Sequence, residues 1–303
     1  MMENTEFQRK IRDLLPEISM RFWEPMEKHT SFRIGGGAEV MAFPKNGEEV
    51  KALVKTSELL DIKYYILGAG TNVLAPDDGI PGLVICLKDA MDGMERQGDN
   101  CISVAAGVTM SRAAVFAAGL GLSGLEFAHG IPGTVGGGVY MNAGAYGGEI
   151  CDVCQSVQVL TADGEIATYS REEMAFSYRY SRLESDGGIV LQVTFSLLPK
   201  PESEIRRTMQ ELLAKRKASQ PLDMPSAGSA FKRPVGGYAA ALIDQAGLKG
   251  FRIGGAAVSE KHAGFVVNLG GATSADVQKL LAAVSDKVFE KSGIRLEPEV
   301  RIW

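Results

Sequence analysis

The chain of 303 residues carries 32 Lys and Arg against 37 Asp and Glu, a formal charge of −5, and 45% of it is apolar. That length and apolar content suit about two globular domains with a sizeable core, and exclude a disordered or fibrous chain. The acidic, unclustered charge excludes the basic face of a nucleic-acid binder, and no apolar run reaches membrane-spanning length, so neither partner is expected.

The N-terminal MMENTEFQRKIRDLL is polar and mixed in charge, without the apolar centre of a signal peptide. Phe7, Ile11, Leu14 and Leu15 recur at helical spacing, and Pro16 stops them, which predicts a short surface helix. From Ser31 the period shortens. Strands are predicted at 39–43, 64–67, 83–87 and 102–105, with helices over 48–60 and 111–119. Strands over 157–161 and 165–169 flank Asp163-Gly164, a hairpin signal, and another strand covers 189–197. Pro199 and Pro201 break the chain before a charged helix from Ser203. A helix over 238–246, strands near 256–258 and 265–269, and a helix over 274–291 follow. Thr273 and Ser274 supply the last helix's N-cap, Asp276 its first-turn acid and Gly293 its stop.

These elements predict an α+β fold with no tandem repeat, cut at residue 199 into domains 1–199 and 200–303. The first domain is read as two mixed lobes split near 80–90, and the second as a smaller α/β lobe. Four cysteines (Cys86, Cys101, Cys151 and Cys154) are too few for a disulfide framework in so long a chain, which points to a reducing cytoplasm. Cys151 and Cys154 lack a second CxxC, and the three histidines are scattered, so no metal site is expected. The stretch around the two cysteines reads as strand, which would place them on opposite faces.

Glycine is the outlier: 36 residues, about 12% of the chain against roughly 7% on average. Two segments concentrate it. Leu67-Gly68-Ala69-Gly70-Thr71-Asn72 follows a strand and has the first two glycines of a dinucleotide fingerprint, but the third is missing. Pro76, Asp77 and Asp78 then stand where a Rossmann helix should run, which argues against a nicotinamide-dinucleotide fold of that kind. What remains is a loop whose amides can meet an anion, with Thr71 and Asn72 as donors, or an ordinary tight turn. Between Gly130 and Gly148 eight glycines alternate with apolar residues. Such backbone can close on a pyrophosphate or a flat ring without Cβ obstruction, or form successive turns in a β-rich lobe.

HTSFRIGGGAEV (29–40), LGAGTNVL (67–74), GIPGTVGG with NAGAYGGE (130–149) and FSYRYSRL (176–183) occur in that order. PSAGSAFKRP (225–234), VSEKHAGFVVN (258–268) and LEPEVRIW (296–303) follow. Together, over residues 29–303, they resemble the UDP-N-acetylenolpyruvoylglucosamine reductases of peptidoglycan precursor synthesis, specifically the shorter class without an extra tyrosine insertion. The resemblance implies an FAD-binding domain of the vanillyl-alcohol-oxidase type followed by a substrate domain. It assigns Gly68, Gly70, Thr71, Asn72, Gly133, Gly137 and Gly144 to FAD, and Arg301 as a further flavin or charge partner. The LGAGTNVL loop has no His or Cys, so the FAD is expected to be non-covalent.

The implied reaction passes hydride from NADPH to FAD and from flavin N5 to C3 of UDP-N-acetylglucosamine enolpyruvate, giving UDP-N-acetylmuramate. Charge develops at C2 and spreads into the carboxylate, which calls for cationic or hydrogen-bonding groups and an acid. By resemblance Ser229 is the proton donor to C2, and Arg179 and Glu299 are the other catalytic residues. A guanidinium fork suits a carboxylate that gains charge. Tyr146 matches a diphosphate-contacting tyrosine, and Lys232 is the natural phosphate partner. Arg233 departs from the Asn that some members carry after Phe-Lys. Outside the resemblance these residues would be turn and surface groups. An oxidase with the same FAD lobe would lack AGSAFKRP and LEPEV. A nucleotide-sugar-binding module would leave Arg179, Ser229 and Glu299 without a task. A monomer is expected.

Overall fold

The computed structural model describes residues 5–303, and the first four residues of the polar N-terminal stretch lie outside it. Helices and strands interleave along the whole chain, in keeping with the α+β class. Cα packing divides the chain into two units. One gathers the segment up to Phe22 with Val40–Ala69 and Gly82–Lys215, and the other gathers Trp23–Glu39, Gly70–Pro81 and Arg216–Trp303. The last crossing, at 215/216, falls inside the helix Glu202–Ser219.

In the first unit a capping box starts the helix Glu6–Leu14: Thr5 Oγ1 accepts from Gln8 N–H, and Gln8 Oε1 accepts from Thr5 N–H, both at 3.2 Å. Phe7 and Ile11 are buried, so this helix sits at the surface with one face in the core. Five antiparallel strands form a sheet in the order Ile166–Ser170, Cys154–Leu160, Ile189–Ser196, Cys101–Ala105 and Met94–Gln97. Val157 and Val159, Val193 and Phe195, and Ile102 and Val104 are buried alternate residues that enter one apolar core. The Asp163-Gly164 hairpin forms with Val157 opposite Tyr169 and Gly164 at φ 78°.

The strand Tyr64–Leu67 pairs in parallel with Ile80–Cys86, and the helix Gly47–Leu59 precedes it, capped by Asn46. These two strands, with Gly37–Phe43 and Ser19–Pro25, make a four-stranded sheet; the last of these was not expected from the sequence. Within the second glycine-rich segment, Val135–Tyr140 is a helix rather than a run of turns. Tertiary contact dictates its composition. A Cβ on Gly136 would lie 2.9 Å from Ala106 Cβ, and one on Gly138 would lie 2.9 Å from Met110 Sδ.

The second unit has its own apolar core and an antiparallel sheet in the order Ser226–Ser229, Phe265–Asn268, Ala256–Val258 and Arg252–Ile253. Val277, Leu280, Leu281, Val284 and Val288 lie at three- and four-residue steps on Ser274–Ser292 and are all buried. Thr273 caps that helix, accepting from Asp276 N–H at 3.0 Å, and Gly293 stops it at φ 72°. Asp77 accepts from the next two amides, Ser274 N–H at 2.7 Å and Ala275 N–H at 3.2 Å. Asn268, nearly buried, donates from Nδ2 to Phe32 O at 3.0 Å and accepts at Oδ1 from Gly270 and Ala272 N–H.

Candidate functional site

The expected site residues fall into one group in each unit, and each group is tied together by backbone and side-chain hydrogen bonds. In the second unit three distant stretches meet. Val73–Leu74 pairs in parallel with Arg301–Ile302, and Arg301 N–H donates to Asn72 O at 2.9 Å. Asn72 Nδ2 donates to Glu299 O at 3.0 Å, while Glu299 N–H donates to Ala230 O at 2.9 Å. Lys232 N–H donates to Glu297 O at 2.9 Å. Gly70–Asn72, Ser229–Lys232 and Glu297–Arg301 therefore form one patch. Ser31 secures its edge, with Oγ donating to Ser226 O at 2.6 Å and N–H donating to Gly70 O at 3.0 Å.

Gly70 has φ 61°, and a Cβ there would collide with His29 O, so this glycine is required by packing before any ligand is considered. Ser229 is exposed and sits where the register slips between the Ser226–Val267 and Ser229–Phe265 pairs. Gly228 before it, at φ 75°, opens onto free space, with no atom within 4 Å of where a Cβ would stand. The irregularity falls at Ala227–Gly228, and Ser229 rejoins the ladder opposite Phe265 directly after it. The Lys232 ammonium lies 2.5 Å from Glu297 Oε1, both on the solvent side.

In the first unit Gly68 packs on Thr134, where a Cβ would come 2.5 Å from Thr134 Oγ1. Thr134 Oγ1 accepts from Gly137 N–H at 3.4 Å and caps the helix Val135–Tyr140. A Cβ on Gly137 would meet nothing nearer than that same oxygen, at 3.5 Å, so bare backbone faces open space there. Gly133, at φ 141°, precedes the cap. Beyond the helix, Gly144–Ala145 pairs with Gly148–Glu149. The two residues between have positive φ, Tyr146 at 55° and Gly147 at 88°, which is a type I′ turn with an exposed tyrosine at its tip. Gly144 is pressed against Glu149, whose Cβ would lie 2.9 Å from a Cβ placed on the glycine.

Arg179 sits in a turn closed by Ser177 and Tyr180, which exchange hydrogen bonds of 3.1 and 3.2 Å. Its φ is 55°, and its guanidinium lies 5.1 Å from the Tyr178 ring centroid. Positive φ at Asn142, Tyr146 and Arg179 marks these loops, since backbone of this kind concentrates at ligand sites. Asn142, buried and bonded to both loops, is a residue that sequence reasoning passed over. Its only signal there was a turn-forming side chain beside Ala-Gly.

Cys151 and Cys154 depart from the expected geometry. Ile150–Val153 is a helical turn and Cys154 opens the next strand, because Asp152 Oδ2 accepts from Glu149 N–H at 2.9 Å and starts a helix there. Glu149, Cys151 and Asp152 bring potential ligand atoms within 4.8 Å of one another. Burial, with Glu149 beside it, pushes the Cys151 thiol up to about 11, and burial pushes Cys154 to about 12. Both are neutral thiols at physiological pH.

Comparison with known proteins agrees in both halves of the chain. Residues 38–170 match a family described as "FAD binding domain". Residues 220–303 match "UDP-N-acetylenolpyruvoylglucosamine reductase, C-terminal domain". A UDP-N-acetylenolpyruvoylglucosamine reductase of Agathobacter rectalis is 47% identical over 310 residues, covering 99% of this chain and 98% of the relative. One from Streptococcus pneumoniae is 46% identical over 293 residues, covering 97% of each. The crystal structure of the reductase from Thermus caldophilus superposes with a TM-score of 0.78 at 37% identity, covering 95% of this chain and 99% of that one.

Proposed function

The chain belongs to the UDP-N-acetylenolpyruvoylglucosamine reductase family, and from that premise we propose that it reduces UDP-N-acetylglucosamine enolpyruvate to UDP-N-acetylmuramate, with FAD as cofactor and NADPH as reductant. It is an oxidoreductase and a flavoprotein. The observation that carries the assignment of roles is the stitched patch of the second unit, where backbone bonds and the Asn72 side-chain amide hold Ser229, Lys232, Glu299 and Arg301 beside Asn72. The two family matches support a flavin-binding domain over 1–199 and a substrate-binding domain over 200–303.

The glycine segments fit an FAD. The uncovered backbone at Gly137, next to the close Gly68–Thr134 contact, leaves space that side chains would fill. The residues this reading gives to the cofactor are Gly68, Gly70, Thr71, Asn72, Gly133, Gly137, Gly144 and Arg301. Bound non-covalently, FAD supplies the hydride chemistry, and the protein supplies orientation and charge.

For the substrate, the Arg179 guanidinium is the fork that binds the enolpyruvyl carboxylate and stays charged as negative charge grows there. Ser229 donates the proton to C2. Its exposed hydroxyl is a weak acid, suited to a strongly basic carbon. Glu299, fixed through its own N–H and C=O, polarises this end of the substrate. Lys232, held forward by Glu297, takes the diphosphate, as does Tyr146 at its hairpin tip. The chain acts as a cytoplasmic monomer in this reading.

Rapid mixing of Ser229→Ala tests it. Reduction of the bound flavin by NADPH should proceed at the wild-type rate, while reoxidation by the enolpyruvyl substrate should be lost. Equal damage to both half-reactions would assign Ser229 a structural task instead.

A further inference from the structure

The turn carrying Arg179 is strained at its tip and supported from below. Arg179 occupies the third position of the Ser177–Tyr180 turn at φ 55°, where glycine is the usual residue. Backbone of this kind persists only where its surroundings over-determine it. Two buried side chains do so. Asn142 Nδ2 donates to Ser177 O at 3.1 Å, and Ser181 Oγ donates to Tyr140 O at 2.9 Å. Asn142 is 1% exposed and Ser181 0%. The two bonds flank the turn and lead back to the C-terminal end of the helix Val135–Tyr140. Gly136 and Gly138 seat that helix against Ala106 and Met110.

Asn142 also reaches the other loop. Its Oδ1 accepts from Cys151 N–H at 3.0 Å, and Nδ2 donates to Glu149 Oε2 at 3.1 Å. Glu149 pairs with Gly144 at the base of the hairpin that presents Tyr146. Both amide hydrogens and the carbonyl oxygen are thus engaged, and φ of 41° is a conformation asparagine tolerates well.

We propose that Asn142 is a positioning residue for the substrate step, holding the Arg179 turn and the Tyr146 hairpin in one frame. The inference rests on the role given to Arg179 above. An amide is required: a carboxylate at 142 would face the Glu149 carboxylate and the Ser177 carbonyl with no hydrogen to donate. Geometry at a reacting centre is costly to lose, with a displacement of about 1 Å worth on the order of 100-fold.

The experiment compares Asn142→Asp, Ser181→Ala, Arg179→Ala and the Asn142→Asp/Arg179→Ala double variant in the two half-reactions, using purified holoenzyme. Asn142→Asp should retain its flavin and its NADPH-dependent reduction, and should slow reoxidation by the enolpyruvyl substrate roughly 10- to 100-fold. Ser181→Ala should slow the same step by a smaller factor, and it decides the matter should Asn142→Asp fail to fold. In the Arg179→Ala background, Asn142→Asp should add almost nothing. If Arg179→Ala slows reoxidation and the Asn142 and Ser181 variants do not, or if they impair both half-reactions alike, the positioning role is overturned and the reading of Arg179 stands. If Arg179→Ala leaves reoxidation intact, that reading falls and takes the positioning role with it.

Discussion

Gly68→Ala probes how closely the two glycine segments of the first unit meet. The added Cβ would lie 2.5 Å from Thr134 Oγ1 but 3.6 Å from Thr134 Cβ and Cγ2, so one oxygen is the whole obstruction. Thr134 is buried, and that oxygen caps the helix Val135–Tyr140. Rotating it away gives up the cap, about 1 kcal/mol. Holding it in place costs roughly 1–3 kcal/mol of overpacking. A gain of about 0.4–1 kcal/mol from a stiffer unfolded chain offsets part of this. Rotation is the cheaper route, so the expected net loss is at most about 1 kcal/mol, and Thr134→Ala alone should lose about 1 kcal/mol through the cap. If they were independent, the pair would lose up to about 2 kcal/mol. With the oxygen gone the new methyl fits, so the double variant should lose only about 1 kcal/mol. Gly68→Ala/Thr134→Val keeps a γ atom in the obstructing position and should show no such relief. Urea unfolding of the purified variants measures all of these. A Gly68→Ala/Thr134→Ala protein as unstable as the sum of its single changes would refute the contact.

Asn268→Ala removes three hydrogen bonds of 2.8–3.2 Å within the second unit and should cost about 3 kcal/mol by urea unfolding. Asn268→Asp, which loses only the donor to Phe32 O, should cost less. Burial holds His129 and His262 below the usual imidazole value of 6.5. The unfolded chain therefore binds more protons in that range, and stability should fall as pH drops through about 6.5. Replacing both histidines by Gln should flatten the slope between pH 7 and 5, and an unchanged slope would place its origin elsewhere. Burial also raises Cys86 to about 11, alongside Cys151 and Cys154. Iodoacetamide at neutral pH should label these thiols far more slowly in native than in urea-unfolded protein, as read by mass spectrometry.

Much of the fold is legible in the sequence where period and punctuation agree. The strand Tyr64–Leu67 and the helix Ser274–Ser292, with its Thr273 cap and Gly293 stop, follow from a short aromatic and β-branched run in the first case and from spacing and end signals in the second. The strand Ser19–Pro25 escapes because its alternation lasts only from Ser19 to Phe22 and none of its residues is fully buried. The helix Val135–Tyr140 escapes for the opposite reason. Three consecutive glycines are poor helix formers, and only the Thr134 cap and the close seats on Ala106 and Met110 outweigh that propensity. Near Cys151 a local hydrogen bond, Glu149 N–H to Asp152, overrides a β-rich composition.

The candidate site divides in the same way. Arg179, Ser229 and Glu299 are visible because they sit in motifs that resemble a family. Their supports are not. The bond from Asn72 to Glu299 joins residues 227 apart in sequence, and the Asn142 bond to Ser177 spans 35. Nothing local in the chain announces either one, since each exists only after the sheets and helices have brought the loops together.

The most direct test of the central claim is an anaerobic titration of the flavin-loaded protein. NADPH should bleach the oxidised flavin band, and UDP-N-acetylglucosamine enolpyruvate should then restore it, forming UDP-N-acetylmuramate in one-to-one ratio with the flavin. Flavin that is reduced by NADPH but stays reduced when that substrate is added would contradict the account.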